Sequence, residues 1–132
     1  MASYNAKHRG TVFNTTAADA SQEALLIPTQ ENSVVRVDVE VTCCATDDYD
    51  EGGTYQVVGY FRNAAGTLTQ VGATTAVHAA IEDVGGRDVA LAVSGTDVSI
   101  DISPADTTPL TWVINADVTE VTKYAANSGW LD

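Results

Sequence analysis

The sequence predicts an all-β chain: a single-domain β-sandwich or jelly roll of about seven to eight mainly antiparallel strands, with an extended N-terminal arm. Three observations carry that expectation. Asp88–Val93 and Asp97–Ile102 alternate apolar and polar residues on either side of Ser94-Gly95-Thr96, which is the pattern of a hairpin with one buried and one wet face. Val, Thr and Ala are abundant, and no long stretch carries a 3.6-residue apolar period. Candidate strands recur at short intervals punctuated by turn residues, and 132 residues suffice for one core and one domain.

Taken in order, residues 1–20 form the arm, 21–123 the β-sandwich domain and 124–132 a C-terminal tail. Lys7, His8 and Arg9 lie together in the arm with no acid before Asp19, so this segment carries about +2 and the rest about −14 of formal charge. Ala24-Leu25-Leu26-Ile27, closed by Pro28, reads as an edge strand over Gln22–Pro28. Asn32–Cys44 is the clearest strand, with Val35, Val37, Val39, Val41 and Cys43 on one face and Arg36, Asp38, Glu40 and Thr42 on the other. Thr46 to Gly53 is an acidic, glycine-paired loop.

Thr54–Arg62 places Tyr55, Val57 and Phe61 on one face and Val58 and Tyr60 on the other, so both faces are partly apolar and the strand is central or covered by another subunit. Asn63-Ala64-Ala65-Gly66 is a hairpin loop, and Leu68–Ala80 a weaker strand. In the Asp88–Ile102 hairpin, Val89, Leu91 and Val93 face the same side as Val98, Ile100 and Ile102. Leu110–Thr122 is the last long strand; Val121 is out of phase with Val118, which suggests a bulge. The tail is polar except for Trp130 and Leu131, which join Lys7, His8 and Arg9 as candidate partner-binding residues.

A formal charge of −12, from six Lys and Arg against eighteen Asp and Glu, disfavours any phosphate-backbone partner, so no nucleic acid is expected. No apolar run approaches the roughly twenty residues of a membrane span, and the N-terminus lacks the pattern of a secretory signal; no membrane association is expected. Cys43 and Cys44 are adjacent, a spacing that strains a mutual disulfide, and a strand would point them to opposite faces.

No catalytic constellation is evident. His8 lies in the arm, His78 has no companion motif, and Gly-x-Ser-x-Gly and phosphate-cradling glycine motifs are absent, so we expect no enzyme, no cofactor and no small-molecule substrate. The two Cys and two His match no zinc spacing, and no metal site is expected. Were calcium to bind, Asp47, Asp48, Asp50 and Glu51 would be the candidates, but position twelve counted from Asp48 is Gly59 where an EF-hand needs Glu. Tyr49, Tyr55, Tyr60, Trp112 and Trp130 are the aromatics available to a carbohydrate site.

The run Gly66-Thr67-Leu68-Thr69-Gln70-Val71-Gly72, followed by Asp88–Val98 and Leu110-Thr111-Trp112, resembles a β-rich module of tailed-bacteriophage virion proteins, over roughly residues 54 to 121. The resemblance implies a subunit that works by assembly, as a homotrimer, and carries over no catalytic residue. It implies a capsid decoration (cement) protein, made in the host cytoplasm and bound to the major capsid protein on the capsid exterior. The arm would meet acidic capsid surface through Lys7 and Arg9. The alternative is a tail fibre or baseplate module that recognises a host-surface glycan.

Overall fold

The computed structural model describes residues 3–15, 21–47 and 50–122, which form ten strands. They are β1 Ser3–Thr15, β2 Gln22–Pro28, β3 Ser33–Ala45, β4 Gly52–Ala64, β5 Thr67–Gln70, β6 Thr75–Ala76, β7 Ile81–Glu82, β8 Asp88–Ser94, β9 Asp97–Ser103 and β10 Leu110–Thr122. A large sheet runs β1-β10-β3-β4-β5, with β6 and β7 also on the β4 edge, and a small sheet runs β2-β9-β8. Every pairing is antiparallel. The first two strands pair with the last two in nested fashion, β1 with β10 and β2 with β9, so the ends of the chain's β-region wind around its middle.

Alternation drives the packing. Val35, Val37, Val39 and Val41 of β3 and Leu110, Trp112, Ile114, Ala116 and Val118 of β10 turn inward onto Val89, Leu91, Val98, Ile100 and Ile102 of the small sheet, giving one core. Trp112 is fully buried against Tyr55, with ring centroids 6.1 Å apart, and its Nε1 donates to Thr15 Oγ1 at 3.0 Å. Gly59 sits where β4 meets the small sheet. A Cβ there would lie 2.7 Å from Leu91 Cδ1 and 3.0 Å from Phe61 Cε1, so glycine is what lets Leu91 enter the core.

The structure departs from the sequence reading at five places. Residues 3–15, read as an arm, are indeed extended, and they lie along β10 as a full strand. The alternation was masked because a bulge between His8 and Thr11, with Gly10 at φ 68°, flips its phase: Ala6 and His8 share the inner side with Thr11, Phe13 and Thr15. Leu68–Ala80 is not one strand: β5 ends at Gln70, the chain loops out, and only the two-residue β6 and β7 return to β4. With β1, these short pieces take the number of strands from seven or eight to ten. Val93 is exposed because β8 is an edge strand of the small sheet, while its partner Val98 on the central β9 is fully buried between it and Ile27. Val121 marks no bulge; the β10–β3 register runs unbroken from Leu110 to Thr122. The inward position beside it is held by a glutamate instead. Glu120 is fully buried, and its Oε2 accepts from Gln30 N at 2.8 Å and Ser33 Oγ at 2.9 Å.

Candidate functional site: the outer face of the large sheet

The register fixes which side chains share the solvent face of the large sheet. One cross-strand row is Lys7, Asp117, Asp38 and Val58; the next is Thr119, Arg36 and Tyr60; the next is Val121, Val34, Arg62 and Thr69. Asp117 and Asp38 stand directly opposite each other, which is repulsive unless compensated. Lys7 Nζ at 3.5 Å and Arg9 Nη2 at 3.2 Å converge on Asp117 Oδ1. Arg36 Nη2 at 3.3 Å and Gln56 Nε2 at 3.0 Å serve Asp38. The acid that Lys7 and Arg9 meet is therefore in their own chain, and His8 lies half-buried on the inner side of β1. Trp130 and Leu131 lie outside the described residues.

Among the concavities on this face, two hold Arg62 and Tyr60. One, of about 370 Å³, is lined by Val34, Arg62, Ala64 and Val121 together with Asn32 and Asn63. The other, of about 330 Å³, lies between Arg36, Val58 and Tyr60 and the loop after β5, which is tied back by a bond from Val71 N to Tyr60 O at 2.8 Å. Both volumes fall in the range of roughly 300–1,000 Å³ typical of small-molecule sites. Tyr60 is 41% exposed and Arg62 is exposed beside it, two residues along β4. Among the described residues, Lys7, Arg9, Arg36 and Arg87 each have a carboxylate within 4 Å, and Arg62 has none.

The loop end of the sandwich holds a second polar cluster. The Arg87 side chain is fully buried, with Nη1 donating to Glu51 O at 3.4 Å and Nη2 lying 3.8 Å from Glu51 Oε1 and 3.9 Å from Asp106 Oδ2. One guanidinium thus gathers the β3–β4, β7–β8 and β9–β10 connections. Tyr55 Oη donates to Glu82 Oε2 at 2.5 Å. Burial pushes the Cys43 thiol up from its ordinary value, with Arg87 only partly opposing it, and burial followed by the Glu82 bond pushes Tyr55 up. Cys43 is thereby held as a neutral thiol, unlike the thiolate that nucleophilic chemistry uses.

Of the acidic-loop candidates, Glu51 is turned toward Arg87, and Asp48 lies outside the described residues. Among the described residues no group of three His, Cys, Asp or Glu is arranged to hold a metal ion. No helix there is long and apolar enough to cross a membrane. His78 Nδ1 lies 2.8 Å from Ala79 O. Arg62 belongs to no sequence motif. Its signal was the i, i+2 placement of Tyr60 and Arg62 on the wet face of β4, but the missing ion partner is a three-dimensional fact.

No protein-family model matches the chain, and no curated protein matches it. Solved structures do. The tailspike protein gp49 of Acinetobacter baumannii bacteriophage Fri1, a capsular polysaccharide depolymerase, is similar over 91% of this chain with a TM-score of 0.52 and 16% identity. The tailspike protein of Acinetobacter baumannii phage AM24 is similar over 88% of this chain, with a TM-score of 0.48 and 7% identity. The chain spans only 18% of the first tailspike's length and 26% of the second's. The likeness is one of fold.

Proposed function

We propose that this chain is a tail-associated phage virion protein whose β-sandwich is a non-catalytic module for recognising a host-surface glycan. The observation that carries the reading is the fold shared by 91% of the chain with a segment of a phage tailspike that acts on capsular polysaccharide. The site geometry supports it. A glycan needs an exposed aromatic to stack on and polar groups fixed on a rigid scaffold, and the strand-borne set of Tyr60, Arg62, Arg36 and Gln56 supplies both. Assembly as a homotrimer is part of the proposal, since it would present the face in three copies and raise the avidity of weak sugar contacts.

The tailspike neighbours favour the tail over the capsid exterior, where the protein would act as cement. Immunogold labelling of virions with an antibody to this chain tests the choice. Gold at the tail is the expected outcome; gold distributed over the capsid overturns the tail reading in favour of decoration.

A further inference from the structure

We infer that the surface around Tyr60 and Arg62 binds an acidic oligosaccharide, one sugar presenting a carboxylate to Arg62 and its neighbour a pyranose face to Tyr60; the inference rests on the glycan-recognition reading. Both lie on the same face of β4 with Cα atoms about 6.6 Å apart at roughly 3.3 Å per residue, so the two side chains can reach adjoining sugars of one glycan. Arg62 lines one concavity with Val34, its partner across the strands, and Tyr60 lines the other with its partner Arg36.

The charge pattern selects the ligand class. In a chain with eighteen acids, Arg62 is the described cation without a carboxylate partner, and a guanidinium in that state is suited to a bidentate bond with a ligand carboxylate. Its strand neighbours across the sheet, Val34 and Thr69, bring no competing acid. The net charge of −12 does not forbid the encounter locally. The solvent face of the large sheet carries Lys7, Arg9, Arg36 and Arg62 against Asp38, Glu40 and Asp117. The acids on the small sheet lie beyond an interlayer spacing of about 10 Å, longer than the screening length of about 8 Å at physiological salt.

The test is calorimetric titration of the purified full chain with oligogalacturonate and oligosialate, alongside their carboxyl-reduced counterparts of the same linkage. We expect the carboxylated glycans to bind at least about tenfold more tightly than the reduced ones, with that advantage lost in Arg62→Ala and partly kept in Arg62→Lys. Tyr60→Ala should weaken both classes, and an unchanged melting transition shows that the variants are folded. Equal binding of reduced glycans, unaffected by Arg62→Ala, overturns the acidic-ligand inference and leaves glycan recognition standing. Arg62→Ala altering sedimentation but not titration marks the face as an interface between copies and overturns it too. A chain that binds none of these glycans overturns it as well, and gold on the tail or the capsid then decides separately the fate of the tail reading.

Discussion

The two solvent faces of this sandwich are built from the same alternating strands and have opposite characters. The large sheet's outer face gathers four of the chain's six cations against three acids, with Tyr60, Val113, Val12 and Val121 exposed among them. The small sheet's outer face carries Glu23, Asp88, Asp97 and Asp101 with Ala90 and Ala92, and has no cation. A net charge of −12 thus describes neither face. One side repels copies and polyanions, while the other is close to neutral and concave. Contact surface and solubilising surface can thus be assigned strand by strand in a protein whose overall charge argues only for repulsion.

That contrast requires the two layers to be locked back to back, and the loop-end clamp is where it is most vulnerable. Arg87 is buried while Glu51 and Asp106 remain partly exposed. Neutralising both acids, Glu51→Gln with Asp106→Asn, strands a buried guanidinium and should cost about 2–3 kcal/mol in chemical denaturation. Arg87→Met removes the buried charge itself and should cost less than the acid pair. The reverse ranking would show that the clamp is not electrostatic.

The interlayer contact at Gly59 gives the next effect. Gly59→Ala forces Leu91 or Phe61 to shift and should destabilise by about 1–3 kcal/mol, read from the denaturation midpoint. Leu91→Ala should cost less in that background than in the parent chain, because the atom it removes is the one in the way. Equal costs in the two backgrounds would place the strain elsewhere.

These positions also mark what could be seen in the sequence and what could not. The valines of β3, the β8–β9 hairpin, the edge strand β2 and the limits of β10 follow from alternation, because burial of one face imposes period two directly on the residues. β1 escaped because the Gly10 bulge inverts its phase, and Glu120 because burying a carboxylate depends on Gln30 and Ser33 arriving from a distant turn. Of the candidate site, Tyr60 was legible as an outward aromatic. Arg62 was not, since an unpartnered cation is defined by every other residue's position.

The pH dependence of stability should come next in size. Cys43 and Tyr55 have folded-state values raised above their ordinary 9.0 and 10.0, so the folded chain keeps protons that the unfolded chain releases. Their contribution is fully present below pH 9 and is lost as the pH climbs past 9 for the thiol and past 10 for the phenol, by up to about 1.4 kcal/mol per pH unit for each group. Cys43→Ala should remove the first part of the decline. A profile still falling between pH 9 and 10 in that variant would assign the loss to other groups.

The smallest effect bears most directly on the contrast between faces. Lys7 and Arg9 offset the opposition of Asp117 and Asp38, and all four groups are at least partly solvated. Replacing both cations with Ala should therefore cost no more than about 1 kcal/mol at low salt. It should cost almost nothing at 1 M salt, where the screening length falls to about 3 Å. The same substitutions leave two cations against three acids on the large sheet's outer face, but β1 lies three strands from β4, so affinity for a carboxylated glycan should fall only near 0.01 M salt, where the screening length is about 30 Å. Affinity that ignores both the substitutions and the salt would mean that the charge of the face as a whole is irrelevant, and that Arg62 acts only through direct contact.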